Sequence, residues 1–158
     1  MCTGDLGSCL ALYKNAQICP DLSPVAFCSR YLNSTTGSPI ILTNRGLQGL
    51  LISSLSLVGD DNCAYPAPQI SPPLGTVIAS GQTQIIEVAY APRKQASDYA
   101  VLHIVSNAEN FPDLAIELCG QGVPSNTPVN SDGGVCLQCN KTTVSSKPAC
   151  GGNTDGGP

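Results

Sequence analysis

The sequence predicts an all-β protein, an immunoglobulin-like antiparallel β-sandwich of about seven strands with cysteine-rich, irregular N- and C-terminal tails. Apolar residues alternate with polar or small ones through three runs between positions 82 and 122, the pattern of strands with one buried face. Turn-forming residues separate the other short apolar runs. Charged residues make up only 11% of the 158 residues, against roughly 25% in an average soluble domain.

Composition divides the chain into three parts. Residues 1–23 are interpreted as a disulfide-stapled N-terminal arm, residues 24–123 as the sandwich, and residues 124–158 as a tail or linker rich in Gly, Pro, Ser and Thr. The tail contains too few apolar residues to offset the entropy lost on ordering it.

The first half of the sandwich is predicted to contain three strands, at 24–30, 38–44 and 50–58. Serines from position 53 onward leave the register of the third strand's second half open. The turn between the second and third strands contains Gly46 and Gly49 and is predicted to need positive φ. The predicted core positions are Val25, Phe27, Ile40, Leu42, Leu50 and Ile52.

The second half begins with an irregular segment at 59–73, a short strand at 74–79 and a tight turn at Ser80-Gly81. Three alternating strands follow, and their outer faces are predicted to meet solvent, Val101 and His103 included. The predicted core positions are Ile86, Val88, Tyr90, Ala100, Leu102, Ile104, Leu114, Ile116 and Leu118.

Nine cysteines are the strongest compositional feature. At this density, with so little charge, they favour an oxidising, extracytoplasmic location: secreted, periplasmic or on the cell surface. The disulfide candidates, whose connectivity the sequence leaves open, are Cys9, Cys19, Cys28, Cys63, Cys119, Cys136, Cys139 and Cys150. Cys2 is a candidate lipidation site, with Met1 in place of a cleaved signal; an unpaired or intermolecular cysteine is the alternative.

No set of residues predicts catalysis, a cofactor or a metal. His103 is the only histidine, and it lacks the nucleophile and orienting group of a triad. Asp60-Asp61-Asn62 is interpreted as a polar loop tip, because calcium takes about six or more oxygen ligands. Further carboxylates are predicted on turns and outer strand faces, at Glu87, Asp98, Glu109, Asp113 and Glu117. The net charge of −4 argues against a nucleic-acid partner.

Six segments of residues 24–123 resemble the ASH (hydin-type) sandwich family, related to the major sperm protein, and its bacterial choice-of-anchor D type. The matching segments are IILTNRG at 40–46, LLI at 50–52, IASGQT at 78–83, IEVAYAP at 86–92, DYAVLHIVSN at 98–107 and IELCGQG at 116–122. Residues 95–97 replace a usual Gly, and the cysteines are not a family feature. The resemblance implies an adhesive or scaffolding role without catalytic residues.

Three functions are compatible with these features. The first is a non-catalytic, extracytoplasmic structural or protein-interaction module of a bacterial cell-surface protein or lipoprotein, acting through edges, loops or strand addition. Its partner is a protein or a second copy, and it contacts membrane only through lipid at Cys2. The alternatives are a disulfide-locked subunit of an extracellular filament or surface layer, and a carbohydrate-binding accessory module of a larger enzyme. With two Phe, five Tyr and no Trp, the chain offers few aromatic platforms for sugars.

Overall fold

The computed structural model describes residues 14–129, and this range folds into strands and loops without a helix. The strands are β1 (Ile18–Pro20), β2 (Val25–Tyr31), β3 (Thr36–Asn44), β4 (Leu50–Val58), β5 (Gln69–Ser71), β6 (Val77–Ile78), β7 (Thr83–Tyr90), β8 (Ser97–Ser106) and β9 (Asp113–Val123). The all-β prediction is confirmed. No helix in the described range is long and apolar enough to cross a membrane.

Two sheets form the sandwich. One has the order β1-β3-β7-β5 and the other the order β2-β9-β8-β4-β6. Every pair is antiparallel except β2 and β9, which run parallel. A hairpin would force antiparallel pairing, but β2 continues into β3 of the opposite sheet, so this constraint does not apply to it.

The core lies between the two sheets and contains the residues that the alternation predicts. All predicted core positions are at most 3% exposed. Phe27, Tyr65 and Tyr90 form an aromatic cluster with ring centroids 5.2–6.1 Å apart, a separation favourable for tilted rings. Tyr65 lies in the loop before β5 and is part of the core. The alternation of apolar and polar residues did not predict this, because Tyr65 does not lie in a strand.

A β-bulge resolves the register of β4. Its pairing with β8 shifts between Ile52 and Ser54, and one extra residue reverses the inward phase of a strand. Before the bulge Leu50 and Ile52 point inward; after it Leu57 is buried and Leu55 packs against the core. The bulge therefore turns both leucines in and leaves Ser54 and Ser56 exposed.

The predicted backbone role of Gly46 and Gly49 is wrong. Positive φ among the described glycines occurs at Gly59, Gly75 and Gly81. Gly46 is required by a close approach instead, because a Cβ there would lie 1.7 Å from the backbone oxygen of Asn15. The predicted tight turn at Ser80-Gly81 is confirmed, with Gln82 N–H donating to Ala79 O at 3.0 Å.

Two short strands lie in segments that were predicted to be irregular. Ile18–Pro20 pairs with β3, and Gln69–Ser71 pairs with β7. Three residues are too few to show a period of two, so neighbouring strands rather than local pattern define these elements. The domain limits at residues 23 and 123 remain predictions.

Val101 also departs from its prediction. It lies outside the core cluster that contains its neighbours Ala100 and Leu102, so the facing is as expected. Its exposed fraction is nevertheless only 7%. Alternation predicts which face a side chain occupies but not whether that face is covered.

Candidate interaction surface

His103 forms a surface pair with Asp113. Its Nδ1 lies 2.9 Å from Asp113 Oδ1, with the two side chains 32% and 57% exposed. The register of β8 with β9 pairs Asp113 with Val105, two residues from His103, and the sequence contained no signal for this contact. An exposed pair of this kind adds little to stability.

The carboxylate of Asp98 is buried, contrary to the prediction of an exposed turn or strand face. Only 3% of the residue is exposed. Its two oxygens accept hydrogen bonds from Tyr90 Oη at 2.6 Å and Asn62 Nδ2 at 2.7 Å. Burial, followed by the hydrogen bond to Asp98, raises the pKa of Tyr90 well above its usual range. Tyr90 therefore remains a donor, and its bond to Asp98 joins the end of β7 to the start of β8.

We expect the Tyr90–Asp98 bond to be measurable in a double-mutant cycle. Tyr90→Phe and Asp98→Ala should couple by about 1.5–3 kcal/mol in urea unfolding, because a hydrogen bond to a charged group is lost in either variant. Tyr65→Phe is the matched control, since Tyr65 Oη donates to the backbone oxygen of Asp98 at 3.2 Å, which Asp98→Ala retains. Equal coupling for both tyrosines would contradict the assignment.

Asp60 caps the loop before β5 and is not part of an exposed tip. It is 3% exposed, and its oxygens accept from the N–H groups of Ala64 at 2.8 Å and Tyr65 at 2.9 Å. Burial is the largest cause raising the pKa of Asp60 above 3.8, with Asp98 and Asp61 adding repulsion and the two backbone bonds opposing it. No group of three or more potential metal ligands occurs within residues 14–129.

The raised pKa of Asp60 predicts a pH dependence of stability. Because the folded pKa exceeds the unfolded one, the stabilising contribution of protonation is complete below 3.8 and is lost as pH rises through the folded value. As the pH is lowered towards 3.8, the free energy of unfolding of the wild type should therefore rise relative to that of Asp60→Asn. Denaturation of both proteins across this pH range measures the difference, and a difference that is constant with pH would contradict the prediction.

Asn44 is a buried hub where the two sheets meet. Its Nδ2 donates to Gln48 O at 2.8 Å and to Ile78 O at 2.9 Å. Its Oδ1 accepts from Gly46 N at 2.9 Å and Gln17 N at 3.3 Å. The side chain is 0% exposed, and all its hydrogen-bonding capacity is used for structure.

The four described cysteine candidates are Cys19, Cys28, Cys63 and Cys119. Each is disulfide-bonded in the structure, and none is a free thiol. The connectivity remains a prediction. The candidates Cys9, Cys136, Cys139 and Cys150, and the lipidation candidate Cys2, lie outside the described residues.

The edges of the four-stranded sheet are protected. The amide of Asn110 closes β1 by bonding Ile18 N at 3.0 Å and Ile18 O at 2.8 Å. Pro39 interrupts the donors of β3, and prolines at 66, 68, 72 and 73 flank the short β5. Prolines, short length and side-chain caps are common means of preventing unwanted strand pairing.

The five-stranded sheet has a different edge at β4. Its neighbour β6 pairs only with Leu50 and Leu51, and Gly75 N–H donates to Ile52 O at 3.2 Å. Beyond that point, no described strand pairs with the outer side of β4. We call residues 53–58 (SSLSLV) the open edge; they include neither a charge nor a proline.

Exposed apolar side chains lie beside the open edge. Val77 is 65% exposed and Leu74 43%, and we call these two residues the apolar corner. Val77 lies against Gly49, where a Cβ would be 2.4 Å from its Cγ1, and Leu74 precedes the glycine that bonds Ile52. An open strand edge with adjoining apolar side chains can pair with another strand and bury surface at the same time.

No protein-family model and no curated protein sequence matches the chain, but solved structures are similar to it. The secreted serine protease VesC from Vibrio cholerae has 17% identity and a TM-score of 0.47 over 71% of this chain and 24% of its own. The chain thus spans about a quarter of the length of VesC.

Two single domains are also similar. The ASH/PapD-like domain 7 of human CEP192 has 17% identity and a TM-score of 0.44, with 72% of this chain and 89% of that one covered. WR4, a C. elegans MSP family member, has 9% identity and a TM-score of 0.40, with 68% and 99% covered. In fold, the chain is similar to ASH and MSP sandwiches. At these identities the likeness concerns the fold alone.

Proposed function

We propose that the chain is a non-catalytic, extracytoplasmic protein-interaction module of a bacterial cell-surface protein, of the choice-of-anchor D type. The observation that supports it is the open edge of β4 with the apolar corner beside it. The two buried carboxylates, Asp60 and Asp98, accept hydrogen bonds within the fold. Binding therefore takes place at the sheet edge rather than in a pocket.

The extracytoplasmic part of the proposal is supported by the bonded state of the described cysteines, because disulfides persist in oxidising compartments. A non-reducing peptide map of the native protein, made after alkylation of free thiols, tests it. Bridged peptides containing positions 19, 28, 63 and 119 are expected. Alkylated cysteines at these four positions would contradict the proposed extracytoplasmic location.

The interaction part is tested by a photo-reactive amino acid placed at position 77 in the full chain. The matched control is position 115, because Ala115 is also exposed but lies on β9, between β2 and β8. We expect a discrete protein adduct from position 77 alone, and loss of binding of the identified partner by Val77→Asp. Absence of any adduct from position 77, or the same adducts from both positions, would overturn the proposal.

A disulfide-locked filament subunit is the second candidate, favoured by the odd number of nine cysteines. Pairs within one chain leave one cysteine over. In that case non-reducing electrophoresis of the native protein shows a ladder that collapses with reductant, whereas the interaction module runs as a monomer in denaturant.

A further inference from the structure

We infer that the open edge of β4 pairs with the same edge of a second copy of this chain, antiparallel across a two-fold axis at Ser56. This deepens the proposed function, on which it rests, by naming the partner and the surface. The edges of the four-stranded sheet are capped, short or interrupted by proline, and β2, the other edge of the five-stranded sheet, carries Arg30, whereas residues 53–58 include neither a charge nor a proline. The choice of partner follows from the geometry and charge of the edge.

The hydrogen-bond direction along β4 shows which backbone groups face outward. Ser106 N–H donates to Pro112 O at 2.9 Å, on the β9 side of β8. Successive residues in a strand bond to opposite sides, so His103 bonds towards β4, and its partner Ser56 bonds towards β8. Leu55 and Leu57 therefore direct their N–H and C=O groups to the open side.

A two-fold axis at Ser56 gives a hydrogen-bond partner to each outward-facing N–H and C=O group of Leu55 and Leu57. Leu55 of one copy then exchanges both backbone bonds with Leu57 of the other, and the reverse pair does the same. Ser54 lies opposite Val58 of the second copy. The chain turns away at Gly59, whose φ is 83°, before it would reach the β6 of its partner. Residues 54–58 of one copy therefore lie opposite residues 54–58 of the other.

Charge favours a second copy as the occupant. A symmetric antiparallel pair places like residues together, and edges are commonly protected by charges for which such pairing is repulsive. Residues 53–58 have no charged side chain, so self-pairing involves no repulsion within the edge. An interface of this length falls below the roughly 1,200 Å² of a standard complex, so the dimer should be weak and reversible.

The test compares the full-length wild type with Ser56→Lys and Ala115→Lys. Ser56 and Ala115 are both exposed strand residues of the same sheet. Sedimentation equilibrium up to about 1 mM should show a dilution-sensitive dimer for the wild type and Ala115→Lys. Ser56→Lys places two ammonium groups in direct opposition and should weaken the dimer severalfold, with partial recovery in high salt.

Amide hydrogen exchange locates the contact independently of any variant. Exchange at Leu55 and Leu57 should slow as the concentration of the wild type rises, while exchange at the fully paired β9 should not change. A monomer at the highest concentration, a dimer insensitive to Ser56→Lys, or a dimer with unprotected Leu55 and Leu57 would each overturn the inference. If position 77 still captures a different protein, the proposed function survives this failure.

Discussion

Asn44→Ala should lower the free energy of unfolding by at least about 3 kcal/mol. The substitution leaves three buried backbone groups, of Gln17, Gly46 and Ile78, without their partner, and each buried group that loses its bond costs about 1–3 kcal/mol. Because a domain of this size has about 5–15 kcal/mol in total, the variant should be close to unfolding. Urea denaturation followed by far-ultraviolet circular dichroism measures the effect.

Asn107→Ala is the matched control for Asn44. Asn107 also bridges two backbone groups, accepting from Leu51 N at 2.8 Å and donating to Gly49 O at 3.0 Å. Its side chain is exposed, so water replaces the lost bonds and the expected cost is about 1 kcal/mol. Asn44→Asp keeps the acceptor but faces two carbonyl oxygens with a charge, and it should also be severe. Equal losses at positions 44 and 107 would show that burial does not decide the cost.

Alternation predicted β7, β8 and β9 well because a period of two is a local property of eight or more residues. The same rule failed where a non-local contact decides the outcome. A single extra residue at Ser53 reverses the inward phase of β4, and only pairing with β8 reveals it. Val101 lies on the expected face, but its burial depends on what covers that face.

Asp98 shows why buried polar residues were missed. A carboxylate in a sequence is expected at the surface, since burying it without partners is costly. Its partner Asn62 is 36 residues away along the chain, and no local pattern connects the two.

The role of Gly120 was missed for a similar reason. A Cβ at this position would lie 2.5 Å from the ring of Tyr90, a contact that only the packing of the sandwich reveals.

The candidate surface could be predicted only in part. The uncharged, serine-rich run of β4 was visible in the sequence, and strand addition was among the predicted modes of binding. Which strand lies at an edge, however, depends on sheet order. Here the two-residue β6 covers only the start of β4, and that arrangement follows from the packing of the whole sandwich.

Leu102→Ala should cost about 2–5 kcal/mol, because it opens a cavity at a fully buried position of the core. Val101 is an unsuitable control, since it is 7% exposed and its two lost methyl groups should cost roughly 2 kcal/mol. Val105 lies on the same face of β8 as Val101 and is 38% exposed. Val105→Ala should therefore cost less than about 1 kcal/mol.

The order of the three losses, measured by urea denaturation, tests the packing of β8 as a whole. Leu102 faces the opposite sheet, Val101 is covered on the outer face, and Val105 is open to solvent, so the losses should decrease in that order. Unchanged m-values would show that each variant still unfolds from the same native state. A loss at Val105 as large as that at Val101 would mean that the outer face of β8 is covered along its length, leaving less of this sheet for a partner.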